Sequence, residues 1–146
     1  MPIKSFRALL EDNTQHQISL HTNDGSTGYR IVKFQGVPKA PMTLDQENVI
    51  KIYKVPQTTV DGNVDFSDQT LLAVCCVSYD NDAATPGIGE SIIFDSEVFN
   101  QDIFVTHEDV HAGGRPCNFY IELEQVKLDL NENTVATLKD IRNQAL

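Results

Sequence analysis

Ile103-Phe104-Val105-Thr106-His107-Glu108-Asp109-Val110-His111-Ala112-Gly113-Gly114-Arg115-Pro116 decides the fold, because it supports two incompatible readings. As a helix it would place His107 and His111 on one face, about 5 to 6 Å apart at Cβ. Both could then ligate one zinc while Glu108 polarised a water, as in HExxH proteases. As a strand it separates the two histidines by roughly 13 Å, too far for a shared metal. The flanks choose the strand. A β-branched and aromatic run precedes His107, and the Gly113-Gly114-Arg115-Pro116 turn signal follows almost at once. Gly114 matches the glycine of the extended HExxHxxGxxH pattern, but the third ligand position holds Cys117. The segment is therefore read as a strand running into a loop, and the metalloprotease reading of His107, Glu108 and His111 is kept only as an option to test.

Outward from this strand, similar short runs recur with turn-formers between them. Strands are expected near Ile3 to Leu9, Gln15 to Thr22, Gly28 to Gly36, Asn48 to Val55, Thr70 to Tyr79, Ser91 to Asp95, Gln101 to His107 and Asn118 to Leu130. Asn23-Asp24-Gly25-Ser26, Pro38-Lys39-Ala40-Pro41, Asp61-Gly62-Asn63 and Asn81 to Gly89 supply the turn chemistry. No interdomain linker, internal repeat or low-complexity tract interrupts them. The predicted fold is all-β: a single antiparallel β-sandwich domain over 1–146, jelly-roll-like, with about eight strands and one short C-terminal helix.

Three segments carry finer expectations. Leu71-Leu72-Ala73-Val74-Cys75-Cys76-Val77 is apolar on both faces, which fits a central strand covered on both sides or one whose outer face meets another subunit. In Phe119-Tyr120-Ile121-Glu122-Leu123 the apolar positions are odd, and in Val126-Lys127-Leu128-Asp129-Leu130 they are even. That shift predicts a bulge near Glu124-Gln125 or a strand that changes sheets. Finally, Asn131-Glu132-Asn133-Thr134 can cap a helix near 134–143, whose Val135, Leu138, Ile141 and Ala145 form one stripe. The stripe either closes an end of the sandwich or docks on a neighbouring subunit. Val135, Leu138, Ile141, Leu72 and Val74 are thus the candidate interface residues.

Composition narrows the function classes. A chain of 146 residues can bury about two thirds of its unfolded surface in one core. Eleven basic against 21 acidic residues give a net charge of -10, which repels phosphate backbones and anionic lipid. Neither nucleic acid nor membrane is an expected partner. No apolar run approaches a membrane span and the N-terminus lacks a signal-peptide core, so the chain is expected to be made and kept in a cytosol. Cys75, Cys76 and Cys117 are expected as buried free thiols.

Other motifs are weak. Asp61-Gly62-Asn63-Val64-Asp65 and Asp80-Asn81-Asp82 alternate oxygen ligands as calcium loops do, but neither completes an EF-hand, and Asx-rich turns are the commoner explanation. His16 and His21 have no evident partner and are expected on the surface. No serine sits in a nucleophile elbow, and neither Cys75 nor Cys76 has a helix-start setting. The expectation is a protein that is not an enzyme, with no catalytic residue, no cofactor and no bound metal.

The runs Ile93-Phe94-Asp95-Ser96-Glu97-Val98-Phe99-Asn100-Gln101-Asp102-Ile103 and Ile121 to Asn143 resemble small virion structural proteins of tailed phages that infect marine cyanobacteria. The likeness extends from about His21 onward and carries no catalytic motif. It implies a structural protein of the virion, made in the host cytoplasm. Its expected partner is the major capsid protein or another virion protein. A capsid decoration or cement subunit is the leading expectation, self-associated as a homo-oligomer; a trimer would match threefold positions on a capsid. A tail, neck or baseplate component is the alternative from the same particle. A calcium- or carbohydrate-binding β-sandwich module is the alternative of another class.

Overall fold

Side chains alternate across a strand, so a run with a period-2 apolar pattern gives a strand with one buried face, and the doubly apolar 71–77 run gives one buried on both. The computed structural model describes residues 2–40, 45–79, 88–94, 97–111 and 113–144. Within them lie β1 (Ile3–Leu10), β2 (Thr14–Ile18), β3 (Thr27–Pro38), β4 (Gln46–Tyr53), β5 (Leu71–Tyr79), β6 (Ile88–Ile93), β7 (Ile103–Asp109), β8 (Cys117–Lys127) and α1 (Leu130–Gln144). The strands form a three-stranded sheet in the order β1-β8-β3 and a five-stranded sheet in the order β2-β7-β4-β5-β6. All the ladders are antiparallel.

The order defines the path. Pairing β1 with β8, β2 with β7 and β4 with β5 is what one long hairpin gives when it rolls up into two layers, the jelly-roll arrangement. The remaining pair, β3 and β6, pack against each other, but β6 takes its ladder from β5. The core lies between the layers. Phe34, Phe119, Ile121 and Leu123 from the small sheet meet Ile50, Ile52, Ile103 and Val105 from the large one, all at most 2% exposed. Gly36 lets the sheets close where β3 crosses β4 and β5: a Cβ there would sit 2.9 Å from Ile50 Cδ1 and 3.3 Å from Cys75 Sγ.

Three expectations are corrected. β8 has no bulge at Glu124-Gln125 and does not change sheets; it pairs with β3 without a break from Glu124 to Lys127. The irregularity is in β3, between Ile31 and Lys33. Val32 is the extra residue and turns outward, which moves the buried phase from Tyr29 and Ile31 to Phe34. Leu128, the even-phase residue that suggested a shift in β8, lies beyond the strand end and packs near Gly28. The helix starts at Leu130 rather than near 134, because the Asp129 carboxylate caps it by accepting from the Glu132 amide at 2.7 Å. Cys76 is exposed, whereas Cys75 and Cys117 are buried.

The outer face of the large sheet is covered by the chain itself. Val49, Lys51, Tyr53, Leu71 and Val74 point outward yet are only 3 to 6% exposed. The connection from β4 to β5 crosses this face. It is held by Asn13 Nδ2 donating to Val60 O at 2.8 Å, by Gln15 and Gln57, and by the Lys51 ammonium.

Candidate functional site

β7 settles the geometry of the HExxH segment. His107 lies mid-sheet on the inner face opposite Ile50 and is fully buried. Its Nδ1 lies 3.0 Å from the Glu11 carbonyl oxygen and its Nε2 lies 2.8 Å from Asn48 Oδ1. Asn48 in turn donates to Gln46 Oε1 at 3.0 Å, and Gln46 donates to Ala40 O at 3.0 Å. Both imidazole nitrogens thus face oxygens within a polar chain that ties β4 and β7 to the β1–β2 corner, a neutral ring donating through one of them. Glu108 projects to the other face, where Asn13 Nδ2 donates to it at 2.6 Å. His111 is exposed, past the end of the strand. The three residues do not converge.

Asp109 completes this structural cluster. It is 2% exposed; its Oδ1 accepts from the amides of Glu47 and His111, and its Oδ2 accepts from the Arg115 amide at 3.0 Å. The carboxylate folds the loop after β7 back against β4, and Gly114 supplies the positive φ of 65° that the turn needs. At the opposite end of β7, Asp102 does the same for the chain after β2. Its Oδ1 accepts from the Leu20 and His21 amides and lies 2.7 Å from the His21 ring, while Gln17 donates to Oδ2. Burial raises its pKa, but these hydrogen bonds together outweigh burial and hold the carboxyl below its ordinary 3.8. His21 therefore has a partner, which its sequence position did not suggest.

The Asp61 loop carries its own cation. Asp61 Oδ1 lies 3.2 Å from the Lys51 ammonium, which also donates to Asn63 O, and accepts from the Asn63 amide at 3.0 Å. Lys51 is 3% exposed and sits where a calcium reading would put the ion. Asp65 accepts from the Ser67 hydroxyl at 2.6 Å and amide at 2.9 Å, an Asx turn. Among the described residues no three His, Cys, Asp or Glu side chains gather as a metal set. Asp80-Asn81-Asp82 lies outside the described residues. The buried thiols are held protonated: burial, then the neighbouring Cys76, raises Cys75 to about 11, and burial, then Cys75, raises Cys117 to about 12.

The candidate interface residues separate into two groups. Leu72 and Val74 are 2% and 4% exposed, so they stabilise this chain and offer no surface to another. Val135 and Leu138 are 66% and 61% exposed on α1; the Ile141 side chain lies outside the described residues. Polar contacts tether the helix: Asn100 Nδ2 donates to Thr137 Oγ1 at 2.7 Å, and Lys139 pairs with Glu97 at 2.6 Å. Glu97 also takes the buried Lys54 ammonium. α1 therefore closes no core with Val135 and Leu138, and holds both toward solvent.

The surface that sequence reading missed is the outer face of the small sheet. Register aligns Leu9, Asn118 and Val37 in one row, Arg7, Tyr120 and Gln35 in the next, and Ser5, Glu122 and Lys33 in a third. The first two rows line an open trough of about 550 Å³. Lys33 Nζ lies 5.9 Å over the Tyr120 ring, whose hydroxyl donates to Glu122 at 2.6 Å. The β8 residues lie more than 80 positions from their β1 and β3 neighbours, and only pairing to β8 brings the three strands' residues together.

No family model matches this chain, and no curated protein matches it. Among solved structures it matches a chain from the three-dimensional structure of Cocksfoot mottle virus. The two are 6% identical, with 91% of this chain and all of that chain covered, at a TM-score of 0.34. Among the described residues no helix is long and apolar enough to cross a membrane.

Proposed function

We propose that this chain is a structural protein of a tailed-phage virion, a decoration subunit that sits on the major capsid lattice and cements the head. The observation that carries the reading is where its exposed apolar side chains stand. Val135 and Leu138 on a tethered terminal helix, and Ile3, Leu9, Val32 and Val37 on one sheet, are each 40 to 66% exposed. Apolar side chains gathered on defined surfaces of a well-packed domain are the mark of a unit that buries them against something else. The jelly-roll path supports the reading by analogy alone, since capsid subunits, lectins and cupins share it. The C-terminal resemblance, which includes the α1 segment, points the same way.

The test uses purified capsids that lack the protein. The intact chain should cosediment with them in a fixed ratio to the major capsid protein. Deleting residues from Thr134 onward should weaken that binding at least tenfold while the sandwich still melts cooperatively, because the described contacts of α1 to the body are chiefly its polar tethers. A full-length chain that never cosediments would overturn the proposal and move weight to a tail, neck or ligand-binding role.

A further inference from the structure

The charge of this molecule is not spread evenly. Of eleven basic and twenty-one acidic residues, the three-stranded sheet holds five basic (Lys4, Arg7, Arg30, Lys33, Lys127) and two acidic (Glu122, Glu124). The remainder of the chain holds six and nineteen. Two of those six, Lys51 and Lys54, are buried and paired with Asp61 and Glu97. On the sheet, Arg30 pairs with Glu124 at 2.8 Å, whereas Arg7 and Lys33 flank the trough on its outer face. Leu9 and Val37, 40% and 55% exposed, stand on either side of Asn118 and give that row of the trough its apolar ends.

The opposite side of the sandwich is its complement. Residues 55–70 lie across the outer face of the five-stranded sheet and carry Asp61, Asp65 and Asp68 with no basic residue. Between them Val64 and Phe66 are 39% and 58% exposed. The Phe66 ring stands edge-on to Phe94 at 5.1 Å, so it is supported on one side and open on the other. One side thus offers Arg7 and Lys33 beside a trough edged by Leu9 and Val37, with Glu122 engaged by the Tyr120 hydroxyl, and the other offers an aromatic side chain between carboxylates.

We propose that the outer face of the three-stranded sheet docks the 55–70 connection of a second copy of this chain, with Phe66 entering the trough between Leu9 and Val37 and Asp65 and Asp68 facing Arg7 and Lys33. The inference deepens the reading of the chain as a repeated assembly unit and rests on it for its biological setting. The two surfaces lie on opposite sides of one protomer, so the contact is head to tail. Each copy that joins leaves a fresh surface free, and association continues as an open or closed array rather than stopping at a twofold dimer. Long-range attraction between the charged faces also makes association sensitive to salt.

The experiment is sedimentation of the purified full-length chain over a concentration range at low and high salt. Two variants are compared with it: Arg7→Glu with Lys33→Glu, and Asp65→Lys with Asp68→Lys. Arg7, Lys33 and Asp65 are exposed and Asp68 is half-buried, accepting from the Thr70 amide and hydroxyl, so a thermal melt of each variant establishes that it folds. The intact chain should form species larger than a dimer at low salt and dissociate as salt rises. Each charge-reversed variant should associate about a hundredfold more weakly. An equimolar mixture of the two should regain assembly, because each then presents the charge the other lacks. A chain that stays monomeric throughout, or variants that associate as the intact chain does, would overturn the proposal. Capsid cosedimentation is read separately, so a monomer that still loads onto capsids refutes the head-to-tail contact while leaving the decoration reading in place.

Discussion

Replacing His107 by alanine and, separately, His111 by alanine distinguishes a structural histidine from a metal ligand. At His107 the truncation removes a fully buried ring and both its polar contacts. The Asn48 side-chain amide loses its ring contact in a site where Asn48 itself is 0% exposed, a cost of about 1–3 kcal/mol for a buried polar group left unsatisfied. The loss at the Glu11 carbonyl is smaller, because Glu11 is exposed and water can replace the ring. The void left in the inner layer adds a further penalty, and together these reach about 3–5 kcal/mol. A domain of this size loses about 3 °C of melting temperature per kcal/mol, so His107→Ala should melt about 9–15 °C below the parent. His111 is exposed beyond the end of β7, and its replacement should stay within about 0.5 kcal/mol. The assay is thermal unfolding followed by circular dichroism, with zinc content measured on the same samples. Equal destabilisation by the two substitutions, or stoichiometric zinc lost from both variants, would refute the reasoning.

Further outcomes follow from single contacts. Lys51→Met keeps the buried stem but removes the ammonium shared by Asp61 and Asn63; it should cost about 1–3 kcal/mol and speed proteolytic cleavage within residues 55–70, unchanged cleavage being the contrary result. The pKa of Asp102 is depressed in the folded state, so its contribution is present above the ordinary 3.8 and fades as pH falls through the lower folded value. The stability gap between the parent and Asp102→Asn should therefore be largest near neutrality and close below pH 3.8, as read by urea unfolding across pH. Gly36→Ala should cost about 1–3 kcal/mol in the same assay, since the new methyl meets Ile50, Cys75 and Val77 from both β4 and β5.

Much of the fold is legible in the residue pattern because a half-buried strand writes its burial with period 2. Each of the eight expected runs overlaps one strand, and Leu71 to Cys75 announce a strand covered on both sides. What covers the outer side could not be read, since it depends on the path of residues 54–70 across Lys51. The phase change was legible but misplaced. Ile31-Val32 next to Phe34 records the bulge, whereas the even-phase Val126 and Leu128 lie near and beyond the end of β8, where its alternation stops, and mark no change of phase within it. Helix onset was missed by four residues, since Asp129 competes with Asn131, Asn133 and Thr134 as the cap and only geometry decides. At the candidate site, the strand reading of His107 rested on local chemistry and needed no partner. The partners themselves, Asn48 and Glu11, are distant in sequence and carry no local signal. The same holds for the trough, where Arg7, Gln35 and Tyr120 become neighbours through register alone.

The claim that this chain cements a capsid is tested most directly by calorimetry of purified capsids lacking it, scanned bare and after saturation with the protein. The account predicts that the chain binds in a fixed ratio to the major capsid protein and that loaded capsids disrupt at a higher temperature than bare ones, since a ligand held only by the intact lattice stabilises it by mass action. Capsids that bind none of it, and melt at the same temperature with and without it, would contradict the account.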